Sequence, residues 1–214
     1  MTNFIPIFPL SIVVYPGESL NLHIFEPRYK QLINECHKEA KPFGIPAIIN
    51  NEVQEMGTLV NVTEIVTVHG NGEMDIKTKG VSVFRILEIV KSVPDKLYSG
   101  AIVNHPENLL ITGKKELMKK VVNAIRELHR LLKINKDFIK ADEELTAYDI
   151  AHHAGLSLDG EYELLKLMRE EQRQEYLKRH LGKVLPVIAQ METLKERVKL
   201  NGHFKNLSSF QFED

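Results

Sequence analysis

The apolar residues of this 214-residue chain keep two different periods. From residue 4 to about 104 they fall in short alternating runs broken by Pro, Gly and Asn; from about 112 onward they recur every three or four residues. The first stretch predicts strands and the second helices. Within Phe4 to Leu10, two prolines fix their own φ and push the preceding residues out of the helical region, so this segment is predicted as an edge or irregular strand. Pro16-Gly17 marks a turn. Leu20, Leu22 and Ile24 then alternate with Asn21, His23 and Phe25, as a strand with one buried face requires. Further strands are predicted at 42–50, 57–70, 73–80, 81–90 and 98–105, with Gly70-Asn71-Gly72 as a tight hairpin between two of them. About six strands, one short helix and no helical crossover between the later strands favour a small, partly closed barrel over a parallel α/β sheet.

The short helix starts in the cluster Phe25-Glu26-Pro27-Arg28-Tyr29. Proline suits the first helical position, and Tyr29, Leu32, Ile33 and Cys36 follow at i, i+3, i+4 and i+7. Glu26 then stands at the helix entrance, where the dipole favours a carboxylate by roughly 0.3–1 kcal/mol. The cluster reads first as a strand-to-helix joint.

In the second half, Leu117, Val121, Ile125, Leu128 and Leu132 predict a long amphipathic helix. Thr146 and Asp149 have capping-box spacing for a short helix that Gly155 can end. A third helical stretch is expected from near Asp159, with Leu164, Leu165, Leu167 and Met168 as its apolar content. The last pattern, Leu177, Leu181, Val184, Ile188, Met191 and Val198, is near heptad spacing. Pro186 interrupts it, which predicts a kinked long helix or two successive ones. The tail, residues 206–214, is expected to be loosely attached. These patterns predict an α+β chain divided into a β subdomain over 1–108 and a helical subdomain over 109–214.

Composition narrows the function classes. Lys plus Arg number 28 and Asp plus Glu 29, so no overall field draws phosphate backbones or anionic lipid, and a nucleic-acid partner would need a local basic patch. The single cysteine, Cys36, can form neither an internal disulfide nor a thiolate zinc cluster, which fits the cytoplasm. The apolar N-terminus has no basic leader and carries Pro6, Pro9 and Pro16, and no later run approaches the roughly 18 apolar residues of a membrane span. Neither secretion nor membrane insertion is expected.

Candidate chemistry is sparse. Glu26 and Arg28 could recognise a partner, but an ion pair that fixes the joint is the simpler account. Phe25 and Tyr29 could form a peptide-binding shelf, though the core is the simpler place for both. Cys36 and His37 point about 100° apart on a helix, so the imidazole cannot readily activate the thiol. Asp149 and His153 share a helix face but lack a third ligand nearby. His23, His69 and His105 have no spacing that indicates a ligand set, and no H-E-x-x-H, G-x-S-x-G or C-x-x-C occurs. No catalytic, metal or cofactor residue is therefore assigned. The basic face of the 112–133 helix, with Lys114, Lys115, Lys119, Lys120, Arg126, Arg130 and Lys133, reads as solvated. It lacks the aromatic platforms of single-strand binders.

With these residues laid out, the chain resembles the substrate-binding (N-terminal) domain of the Lon protease family. The likeness runs through "PLSIVVYPGESLNLHIFEPRY" at 9–29, "MGTLVNVTEI" at 56–65, Gly70-Asn71-Gly72 and "KGVSVFRILEI" at 79–89. It continues more weakly through "TAYDIAHHAGLS" at 146–157 and "LLKLMREEQRQEYLKRHL" at 164–181. The resemblance implies a PUA-like β pseudo-barrel followed by a helical bundle, acting as a non-enzymatic protein-recognition module. Its partners would be unfolded or client polypeptides, or a protease, and a free-standing copy would act either as an adaptor that delivers clients to a protease or as a competitor that withholds them. Phe25, Glu26, Arg28 and Tyr29 are the candidate partner-binding residues. Full-length Lon proteins add ATPase and peptidase domains. Here "TGKKE" at 112–116 fails the phosphate-loop pattern, so a stand-alone member without those domains is expected. Asn21 and Val83 depart from the family's pattern, which often has proline and arginine there, and no role of that arginine carries over. The alternative reading is a PUA-like RNA- or DNA-binding protein.

Overall fold

The computed structural model describes residues 2–204, so the expectation for the 206–214 tail lies outside the described residues. Six strands form one antiparallel sheet: β1 (Thr2–Pro6), β2 (Ser19–Ile24), β3 (Phe43–Ile49), β4 (Glu52–Val68), β5 (Met74–Val90) and β6 (Gly100–Asn104). Their order is β1-β6-β5-β4-β3, with β2 paired to β5. Ladders do not close this sheet into a barrel. Among the described residues no ladder joins its two path ends, β1 and β3; they pack together, and the irregular segment after β1 makes isolated parallel bridges from Ile7 and Leu10 to Gly44 and Ala47. The chain is thus α+β, the sheet followed by helices.

Residues 73–80 and 81–90, predicted as two strands, belong to one 17-residue strand, β5. Gly80 reads as a breaker in the sequence, yet it continues the strand where another backbone crosses it. A Cβ there would lie 2.2 Å from the Tyr15 carbonyl oxygen, and the Gly80 N–H donates to Glu18 O at 2.8 Å. The crossing segment turns at Gly17, whose φ of +86° suits glycine. Register shifts against β4 bend β5, so that its first part pairs with β2 (residues 74–79) and its last with β6 (residues 85–90).

Helix α1 (Pro27–Glu39) follows β2 directly, with Pro27 at its start as predicted. Its stripe of Tyr29, Leu32, Ile33 and Cys36 is buried against Phe8, Phe43, Ile45, Val60 and Ile76. A fully buried side chain of this kind contributes roughly 1.5–3 kcal/mol. Burial pushes the Cys36 thiol up to about 12, which suits a structural thiol and not a nucleophile.

The helical half comprises α2 (Lys115–Leu132), α3 (Ala147–Ile150), α4 (Leu158–Leu165) and α5 (Glu170–Phe204). The buried face of α2 is turned from the predicted one: Met118 and Val122 are inside, Leu117 is half-buried and Leu132 exposed. The capping box forms, Asp149 accepting from the Thr146 N–H at 2.8 Å. Pro186 lies inside one helix, so the alternative of two successive helices is set aside. The largest core cluster brings Val13, Tyr15, Met56 and Val83 from the strand half against Val121, Ile125, Leu164 and Leu177 from the helices. Among the described residues, no helix is long and apolar enough to cross a membrane.

Candidate functional site

The joint between β2 and α1 is built by alternation on one side and helical period on the other. On β2, Ile24 is buried, and the opposite face carries Asn21, His23 and then Phe25, all exposed. Phe25 is 59% exposed, which corrects the expectation that it belongs to the core. Strand alternation outweighs its hydrophobicity. Tyr29 does enter the core, its ring stacked on Phe8 with centroids 3.8 Å apart. Glu26 caps α1 through its backbone oxygen, which accepts from the N–H groups of Tyr29 (3.0 Å) and Lys30 (2.9 Å). Its carboxylate turns to the guanidinium of Arg28 at 2.7 Å, and that guanidinium also lies 4.6 Å above the Tyr29 ring. Burial of Tyr29 raises its phenol pKa, against the pull of Arg28. The four candidate residues thus form an exposed aromatic, a closed ion pair and a buried tyrosine on which the guanidinium rests.

Beside the joint, His23 stacks on Phe25 with centroids 6.2 Å apart, and its Nδ1 lies 2.7 Å from Asp75 Oδ1. His69 Nε2 lies 2.7 Å from the other oxygen of Asp75. Sequence spacing hides this group, because only the pairing of β2 with β5 sets His23 opposite Asp75.

Other candidates resolve into structure. Asp149 holds Thr146 and the Lys140 ammonium (2.6 Å), while His153 packs against Phe138 and His129, so the two make no metal pair. On the basic face of α2, Arg126 is held by Asp142 through two bonds of 2.8 and 2.7 Å and Arg130 by Glu127 through two of 2.8 and 2.7 Å. Two of its seven cations are thereby neutralised.

A cleft of about 430 Å³ opens between α2, α5 and the segments beside them, lined by Leu110, Ile111, Lys114, Glu144 and Glu170. Glu170 is not poised there as a base. Burial raises its pKa, but one carboxylate oxygen accepts from the Ala147 N–H at 2.6 Å and the other from buried Arg173 at 2.9 Å. Among the described residues, no buried side-chain nitrogen or oxygen lacks a partner, so no unpaired group marks a catalytic centre.

The family model for the ATP-dependent protease La (LON) substrate-binding domain matches residues 5–183. The chain belongs to this Lon substrate-binding domain family. Among solved structures, the Lon N-terminal domain protein from Xanthomonas campestris superposes with a TM-score of 0.60 at 22% identity, covering 82% of this chain and 96% of that one. The N-terminal domain of the Mycobacterium avium complex Lon protease also gives 0.60, at 14% identity, covering 84% of this chain and 98% of that one. At these identities the two share the Lon N-domain fold with this chain. None of the curated proteins matches it.

Proposed function

We propose that this chain is a non-enzymatic recognition module that binds unfolded or client polypeptide, or a protease partner, in the cytoplasm. The match of residues 5–183 to a substrate-binding domain carries this reading. The bridges from Ile7 and Leu10 to β3 support taking the sheet as a PUA-like pseudo-barrel within a subdomain over 1–108, followed by a helical subdomain over 109–214; the place of Pro186 inside α5 supports a kink of that helix there. The contact surface is the joint: Phe25 is the exposed apolar anchor, Arg28 and Glu26 its polar rim, and Tyr29 the support beneath. Among the described residues β2 makes a ladder only with β5, so an extended client can add a strand along its other edge, beside Phe25. An adaptor that hands such segments to a protease would work through this surface.

The test is fluorescence anisotropy with a labelled, permanently unfolded protein against its folded counterpart, at two salt concentrations. Selective binding that survives added salt, weakens in Phe25→Ala and leaves the Tm unchanged is the expected result. No preference for the unfolded form would overturn the reading. Binding of RNA with an affinity falling steeply in salt would replace it with the nucleic-acid alternative.

A further inference from the structure

His23, His69 and Asp75 come from three adjacent segments and meet at the hairpin end of the sheet. Asp75 lies on β5 between buried Met74 and Ile76, so its side chain faces outward. His23 stands directly opposite it on β2. His69, just beyond β4, is fixed by its N–H, which donates to Glu73 O at 2.8 Å across the Gly70-Asn71-Gly72 turn. One ligand atom from each of the three falls within 4.8 Å of the others. Both imidazoles turn a nitrogen toward the same carboxylate at 2.7 Å.

We propose that His23 Nδ1, His69 Nε2 and an oxygen of Asp75 form a surface site for a divalent transition metal of the zinc type. Two imidazole nitrogens and one carboxylate oxygen are a donor set that zinc accepts, leaving a fourth position for water or a partner's side chain. Zinc bonds of about 2.0–2.2 Å would place the ligand atoms roughly 3.3 Å apart in a tetrahedron, so the 2.7 Å contacts need widen only modestly. A second observation points the same way. The other nitrogen of His23, Nε2, lies 3.2 Å from the Glu73 carboxylate. A ligating histidine characteristically donates its second N–H to such a group; with zinc bound, Nε2–H would donate to Glu73 and Nδ1 would exchange its present contact with Asp75 for the metal. Asp75 is paired on both sides, to His23 of β2 and to Thr67 of β4, and His69 is held by its N–H bond to Glu73 O, which gives the site a fixed frame. The sequence assigned no metal to these histidines; strand register supplies what their spacing conceals.

The proposal stands apart from the recognition reading and is tested apart from it. The tag-free 214-residue chain is titrated with zinc chloride at neutral pH by isothermal calorimetry, and its Tm is followed with and without zinc. The expected result is one zinc per chain and a Tm raised by zinc, with both effects lost in the His23→Ala/His69→Ala double variant. Glu73→Gln should weaken binding by about 10–100-fold. Asp75→Asn, which keeps the side-chain shape, should weaken it further, and His37→Ala, on the exposed face of α1, should leave it unchanged. The altered residues are on the surface, and equal Tm values without zinc would confirm intact folds. The proposal is overturned if wild-type protein takes up no more zinc than the double variant, or if the double variant still binds one zinc with wild-type affinity.

Discussion

The same three side chains, Glu, Arg and Tyr, are assembled twice in this molecule in opposite surroundings. At the joint, Glu26 and Arg28 meet at 2.7 Å with the guanidinium 4.6 Å above Tyr29, and both charges face solvent. At the start of α5, Glu170 and Arg173 meet at 2.9 Å with the guanidinium 4.3 Å from the Tyr148 ring, and both charges are buried. Water screens the first pair and keeps its contribution small. Nothing screens the second, so every donor on Arg173 must find an acceptor. It donates to Glu170, Asn108 Oδ1 (2.8 Å), Leu167 O (2.7 Å) and Leu109 O (3.1 Å). One chemistry thus yields a locking bolt inside and an adjustable contact outside.

The largest test breaks the buried pair. Arg173→Met leaves Glu170 uncompensated and should cost about 3–5 kcal/mol in urea unfolding. Adding Glu170→Leu should restore only part of this, because Asn108 Oδ1 and the Leu167 carbonyl still lose the Arg173 donor, whereas the Leu109 carbonyl keeps the Glu170 N–H. Recovery to wild-type stability would show the network to be dispensable.

An intermediate case sharpens the contrast. His152, its side chain 39% exposed where the strand and helical halves meet, contacts Glu161 at 2.7 Å and Glu18 at 3.2 Å. Burial pulls its pKa down, but these carboxylates outweigh it and push it up to about 10. Its stabilising effect is therefore fully present below the unfolded-state value near 6.5, declines as pH rises, and is gone above about 10. His152→Gln should lower the Tm clearly at pH 6 and hardly at all at pH 10.5. Equal losses at both would mean that shape alone matters there.

At the exposed pair, a Glu26→Ala and Arg28→Ala double-mutant cycle should give a coupling below about 1 kcal/mol. Client anisotropy should nevertheless weaken in Arg28→Ala at unchanged Tm; unaltered affinity would confine the contact surface to Phe25. Smallest of all, Pro27→Ala should shift stability by about 0.5 kcal/mol or less and leave client binding as it was.

What the sequence made legible was whatever depends on neighbours along the chain. The α1 stripe, the Pro27 start, the turn at Gly17 and the Thr146–Asp149 cap each rest on a period or a local bond, and each is present. Phe25 was legible too, since alternation placed it with Asn21 and His23 on the outer face, but its aromatic character argued for burial. Gly80 misled for a physical reason: a glycine that lets two backbones cross looks, in sequence, like one that ends a strand. The meeting of His23 and His69 at Asp75, and of Arg173 with Asn108, could not be read, because strand register and helix docking bring together residues with no common spacing.

The pairing of β1 with β6 carries a consequence for how the chain is made. Thr2 lies opposite Asn104, so β1 leaves the ribosome well before β6 and must wait for it. At roughly 5–20 residues per second, the delay is about 5–20 s, during which Phe4 and Ile5 lack their ladder partners. A chain proposed to hold unfolded polypeptide therefore passes through its own synthesis with a strand that has no ladder partner.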